Sequence, residues 1–202
     1  MLTAAALAGC SADQIPSRTA GAAPGGAPPA GPGAPPAAGP GPQPRYTVHA
    51  APAPGTCHYR YVQAKPLPDP GCTPGALNPE VTPSTLRRTI CAPGYSARVR
   101  PPRAVTDREK RLSARAYGYT GSFSSAELDH LVPLGVGGDP NDPRNLWLEP
   151  NDDPQATTNA NGKDDVETAL HDAVCAGRVG LVEAQRAIAV NWTTALAVLG
   201  IV

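Results

Sequence analysis

The feature that most constrains this chain is a connection of fourteen residues between His130 and Asn145, flanked by two short apolar-rich runs. Glu127 to Leu134 and Arg144 to Leu148 are too short for helices, and the residues between them include Gly135, Gly137, Gly138, Asp139, Pro140, Asn141, Asp142 and Pro143. Such residues supply the φ angles and local hydrogen bonds that turns require, so the stretch reads as a two-stranded ribbon with an open loop. From Lys163 a further run places Val166, Leu170 and Val174 four residues apart, on one face of a helix. The local plan is strand, loop, strand, helix, with Asp129 and His130 side by side on the first strand.

These residues carry a resemblance. Asp129-His130-Leu131-Val132-Pro133-Leu134, followed by Gly137-Gly138 and Arg144-Asn145-Leu146-Trp147, resembles the signature of HNH endonucleases. The segment from Cys72-Thr73-Pro74-Gly75 through Thr89-Ile90-Cys91 to the C-terminal helices resembles a bacterial and phage HNH-like group. The resemblance implies an α+β fold: a ββα-metal motif embedded in a mainly helical, disulfide-linked single domain. It also implies roles. His130 is the general base, Asp129 a metal ligand, and Asn145 the residue that fixes the loop and orients the histidine. Asn161 stands where the closest pattern has a histidine. An amide oxygen suits a hard ion, which points to Mg2+ or Mn2+. Arg144 and Lys163 are candidates for contact with nucleic-acid phosphate.

Ahead of the motif, Leu7-Ala8-Gly9-Cys10 follows a short apolar run and looks like a bacterial lipobox. On that reading residues 1–9 are a lipoprotein signal peptide and Cys10 carries lipid. No Lys or Arg precedes Arg18, which points to a start further upstream. Residues 21 to 54 contain eleven prolines and seven glycines with hardly any large apolar side chain. That composition buries too little surface to offset the entropy of ordering, so residues 10–54 read as a lipidated, disordered tether. Residues 55–202 are left as one nuclease-like domain of ordinary size. The expected localisation is exported, in the cell envelope, lipid-anchored to a membrane.

Cysteine usage agrees with export. Setting Cys10 aside leaves Cys57, Cys72, Cys91 and Cys175, with no CxxC pair for zinc. Three pairings are open. Cys57 with Cys72 and Cys91 with Cys175 is favoured, because the first closes a proline-rich segment and the second ties the front of the domain to the helix behind the motif.

Outside the motif, Thr82-Pro83 predicts a short helix to about Ile90, and Tyr95 to Arg100 an extended piece. Thr106 and Glu109 form a capping-box pattern that predicts a helix to about Tyr117. Gly177 should end the motif helix, and Ala184, Ile188 and Trp192 should lay a last helix against it. Leu146, Trp147 and Leu148 are expected in the core.

Seventeen basic and seventeen acidic side chains cancel, but not evenly along the chain. Arg87 to Arg115 holds nine basic and two acidic residues, and Glu127 to Asp172 eleven acidic and two basic. A basic flank beside an acidic unit suits DNA and a divalent ion, although charge runs are often only solvated faces. The expected function is a metal-dependent endonuclease hydrolysing phosphodiester bonds of DNA. The competing expectation is a non-catalytic envelope binding module that keeps the same scaffold. If Cys10 is the anchor, radiolabelled fatty acid enters the protein through it, and Cys10→Ala releases the domain from membranes. A wild-type protein found soluble in the cytosol would refute the anchor.

Overall fold

A computed structural model describes Met1 and residues 35–153, 155–156 and 161–201. Cys10 and most of the expected signal peptide and tether lie outside the described residues. The chain is α+β, with small sheets and more helix than strand. Strands β1 (Ala37–Ala38), β2 (Arg60–Val62), β3 (Lys65–Leu67) and β4 (Ala76–Leu77) precede helices α1 (Tyr95–Val99) and α2 (Arg103–Ala116). Strands β5 (Ala126–His130) and β6 (Leu146–Pro150) follow, and helices α3 (Gly162–Cys175), α4 (Leu181–Asn191) and α5 (Ala195–Val198) close the order.

The β5–β6 ribbon is the centre. The strands pair antiparallel, with Ala126 opposite Pro150, Asp129 opposite Trp147 and His130 opposite Leu146. Alternation along the strands puts Glu127, Asp129, Trp147 and Glu149 on one face, and Ala126, Leu128, Leu146 and Leu148 on the other. The second face meets α2, where Ala114 packs with Ala126 and Leu148 and Ser113 Oγ accepts the Leu148 N–H. The first face receives α3 through Lys163. Leu146, Trp147 and Leu148 are all buried.

Leu170 and Val174 of α3 share the main core with Ala184 and Ile188 of α4 and with Trp192. Gly177, at φ +69°, reverses the chain after α3, a conformation that disfavours residues with a Cβ. The backbone tightens to a 3-10 turn at Trp192, yet the indole stays buried and donates to Pro66 O at 2.8 Å. The stripe therefore survives the change of helix type. The disulfides join Cys57 to Cys72 and Cys91 to Cys175, as favoured above. By the chain-entropy model they contribute about 3 and about 4 to 5 kcal/mol, the wider loop more.

Three local expectations are corrected. Thr82-Pro83 opens no α-helix: Thr85 instead accepts the Thr82 N–H and donates to Glu80 O, so only Leu86–Arg88 coils, as a 3-10 turn. Tyr95–Val99 is helical rather than extended, because left-handed Gly94 turns the chain and buries Tyr95 and Val99, four residues apart. Arg100, preceding Pro101, is forced extended and ends it. Helix α2 starts at Arg103, directly after Pro102, so Thr106 and Glu109 lie inside it and form no capping box.

The boundary at residue 55 also moves. From Pro35 the chain is fastened to the domain as a strap. Strand β1 pairs in parallel with β4, Gly41 N donates to Asp139 Oδ2 at 2.6 Å, and Tyr46 Oη donates to Val99 O at 2.6 Å. Asn141 Nδ2 donates to Thr47 O at 2.9 Å, and His49 N to Glu109 Oε1 at 3.2 Å. Main-chain hydrogen bonds thus order a segment too poor in large apolar groups to be held by burial, which composition alone does not reveal.

Glu109 is the weak point of the strap. It is 6 % exposed, its Oε2 has no partner among the described residues, and burial pushes its pKa up to about 7 despite the His49 N–H. The folded chain then holds this proton more tightly than the unfolded chain, so the contribution is full below the unfolded value near 4.5 and is lost as pH rises to about 7. Glu109→Gln keeps an acceptor for His49 and should stabilise the domain by up to about 3 kcal/mol at pH 8. At pH 4 it should have little effect. Urea unfolding at the two pH values checks this, and equal effects would refute it.

Candidate functional site

The loop between β5 and β6 is drawn shut by one side chain. Asn145 is fully buried; its Nδ2 donates to Val132 O at 2.9 Å and Asp139 O at 3.0 Å, and its Oδ1 accepts Val132 N at 2.9 Å. The loop closes so tightly that a Cβ on Gly138 would overlap the Val132 carbonyl. Within it, Asp139 Oδ1 accepts the N–H groups of Asn141 and Asp142 at 2.9 and 2.8 Å. These bonds fix the peptide units around Pro140, whose carbonyl lies 3.0 Å from His130 Nε2.

That contact assigns the tautomer. A carbonyl can only accept, so Nε2 carries the proton and Nδ1 keeps its lone pair. Nδ1 has no hydrogen-bond partner among the described residues, and the residue as a whole is buried. Burial is the largest influence on His130 and lowers its pKa, against the Pro140 bond and the Asp129 charge, which raise it. The ring is neutral at neutral pH. Strand β5 ends at His130, so the regular pleat, which sends adjacent side chains to opposite faces, stops at the Asp129–His130 pair.

On the acid face the structure corrects the role expected of Lys163. Its side chain is 1 % exposed, and Nζ donates to Asp129 Oδ2 at 2.6 Å, to His130 O at 2.9 Å and to Glu167 Oε1. An ammonium has three donors, and all three are used. Lys163 is therefore closed to phosphate. Burial alone would lower its pKa, but Asp129, Glu167 and Glu149 outweigh it and raise it. Asp129 experiences the converse: burial pushes it up, and Lys163 together with a bond to Glu149 holds it below the usual carboxylate range. Trp147 Nε1 also donates to Asp129 Oδ2, at 3.2 Å.

Arg144 is corrected in part. Its guanidinium grips Asp142 through Nε at 2.9 Å and a second nitrogen at 2.6 Å, and reaches Ala38 O of the strap at 3.2 Å. It stays partly exposed, but its fork is committed to the loop. Asn161 stands at the N-cap position of α3 without capping it. Its Nδ2 donates to Glu127 Oε1 at 2.6 Å, and its Oδ1 is buried with no partner among the described residues.

Three acidic neighbours were not singled out from the sequence. Glu127 lies two residues before Asp129 on the same strand face, Glu149 lies opposite Glu127, and Glu167 lies one helical turn beyond Lys163. Period-two spacing and the i,i+4 rule mark Glu127 and Glu167, but Glu149 needs the register. Burial raises all three, Glu167 to about 7 and Glu149 well above its ordinary value, the Asp129 charge adding to the effect at Glu149.

Among the described residues no group of three or more His, Cys, Asp or Glu side chains is placed to hold a metal ion. Asp129 and Asn161 nonetheless have the chemistry for a hard divalent ion: one carboxylate held ionised, and one buried amide oxygen lacking a donor. Magnesium is commonly bound by one or two protein oxygens plus water and phosphate, so a two-residue set fits it. The chain matches no family of known proteins, no curated protein and no solved structure.

Lys163→Met removes the one buried cation from among these carboxylates. Stranding buried charges in this way should cost about 3 to 5 kcal/mol of stability at neutral pH. Urea unfolding measures the loss, and a variant within 1 kcal/mol of wild type, on the order of an exposed pair, would show that the ammonium is not needed.

Proposed function

We propose that the protein is a metal-dependent endonuclease of the HNH type, in which β5, β6 and α3 form the ββα-metal unit. The observation that carries this reading is the His130 imidazole, bonded at Nε2 to the Pro140 carbonyl inside a loop clamped by Asn145, with Nδ1 left as a base. Phosphodiester hydrolysis needs a group that takes a proton from water as the water oxygen attacks phosphorus. A neutral imidazole meets that need, and the Pro140 carbonyl steadies the imidazolium that results.

Asp129 and Asn161 would hold the divalent ion, Mg2+ or Mn2+. When bound, it supplies Lewis-acid stabilisation of charge on the phosphate and the leaving oxygen. Lys163 bonds both Asp129 and the His130 carbonyl oxygen, so a single ammonium sets the spacing between the carboxylate and the backbone that carries the base. DNA is the proposed substrate, on the strength of the basic flank ahead of the motif. The two disulfides favour an oxidising compartment, consistent with export and anchoring through Cys10. No helix among the described residues is long and apolar enough to cross a membrane.

A second reading has its own support. Lys163 already sits on Asp129 Oδ2, and Asn161 Nδ2 is engaged by Glu127, which suits an envelope module that keeps the scaffold and binds without cutting. Incubating the mature domain with supercoiled plasmid and Mg2+ or Mn2+, with and without chelator, separates the two. Cleavage abolished by chelator supports the enzyme, and none under any condition supports the module.

If the enzyme reading holds, His130→Ala loses about 100- to 10,000-fold in single-turnover cleavage, the usual contribution of a positioned general base. Because the folded pKa of His130 lies below its ordinary 6.5, the base stays unprotonated to lower pH, and the acid limb of wild-type cleavage should fall below that value. A folded His130→Ala protein cutting at the wild-type rate would remove His130 from the mechanism.

A further inference from the structure

With Lys163 saturated and Arg144 committed to Asp142, the two cations expected at phosphate are taken, and a nuclease of this kind needs another. A cleft of about 260 Å³ opens between α1 with the adjoining Arg100, the turn Leu134–Val136 and the middle of α3. Its walls include Arg100, Pro133, Gly135, Glu167 and His171. It is linked to the proposed site through Glu167, which bonds Lys163, which in turn bonds His130 O.

Arg100 differs from Arg98 and Lys110, whose side chains are committed. Arg98 donates to Pro93 O and lies over the Tyr95 ring, while Lys110 donates to Phe123 O and Ala126 O. The exposed Arg100 side chain makes no hydrogen bond or ion pair among the described residues, yet its backbone is fixed, with N donating to Ser96 O and Pro101 following. The one carboxylate lining the cleft, Glu167, is bonded to the Lys163 ammonium.

We propose that Arg100 is the phosphate-binding cation of this site, receiving in the cleft a phosphodiester of the strand presented to His130. A guanidinium suits the task, since its planar fork matches two phosphate oxygens. The proposal rests on the endonuclease reading, but its test is binding rather than cutting.

Anisotropy of a fluorescein-labelled 20-base-pair duplex is measured in EDTA over a KCl series for wild type, Arg100→Gln, Arg100→Lys and Arg186→Gln, the last an exposed arginine of α4 away from the cleft. Arg100→Gln should bind about tenfold more weakly, the effect of one charge-assisted hydrogen bond. The slope of log K against log salt should shrink by about one. Arg100→Lys should restore the slope, and Arg186→Gln should behave as wild type. Equal affinity and slope for Arg100→Gln and wild type would overturn the proposal, as would an equal loss in Arg186→Gln or no duplex binding by wild type. If wild type fails to cut plasmid but Arg100→Gln still loses affinity and slope, the endonuclease reading falls and the phosphate site stands.

Discussion

The Asn145 amide is the interaction on which the rest of the site depends. Closing a loop of fourteen residues costs entropy, and although burial of Leu131, Val132, Leu134 and Val136 offsets that cost, it does not by itself aim the loop's polar groups. Asn145 closes it with both ends of one buried side chain, accepting from Val132 and donating to Val132 and Asp139. Only then does Asp139 gather the following N–H groups, and only then does the Pro140 carbonyl meet His130. The histidine's tautomer is thus set by a residue fifteen positions away.

The strap extends this dependence. Gly41 N bonds the second oxygen of Asp139, Thr47 O takes the Asn141 amide, and Ala38 O takes the Arg144 guanidinium. Three points of the loop that holds His130 are therefore tied to a segment nearly a hundred residues earlier. The same segment leads toward Cys10, so the described structure begins its fold only about 25 residues from the proposed anchor.

On the opposite face the governing term is charge. Asp129, Glu127, Glu149 and Glu167 are brought together by strand register and helix docking, and like charges at such separations raise one another's pKa. Lys163, buried among them, makes the arrangement tenable. An internal ammonium in a carboxylate cluster also explains why Lys163, at the start of α3, is unavailable to a ligand.

Much was legible in the sequence because the signals were local or covalent. Short apolar runs bounded by turn residues gave both ribbon strands, four-residue spacing gave α3 and the Ala184–Ile188–Trp192 stripe, and of the three cysteine pairings the favoured one is observed. The failures were of two kinds. At Thr82, Tyr95 and Thr106, local propensity was overruled in turn by the hydrogen bonds of the Thr85 hydroxyl, by the burial of Tyr95 and Val99, and by prolines that set the helix starts and stops. At residues 35–54, composition spoke for disorder while distant acceptors on the loop and on α1 and α2 supplied order. The sequence by itself determined which residue types meet at the ribbon, since two short apolar-rich runs joined by turn residues put Asp129 and His130 on one strand and Asn145 at the head of the other. Only the tertiary structure decided how each is used, because tautomer, protonation and access to a ligand depend on the partners that the packing of the strap, α1 and α3 brings within hydrogen-bonding distance.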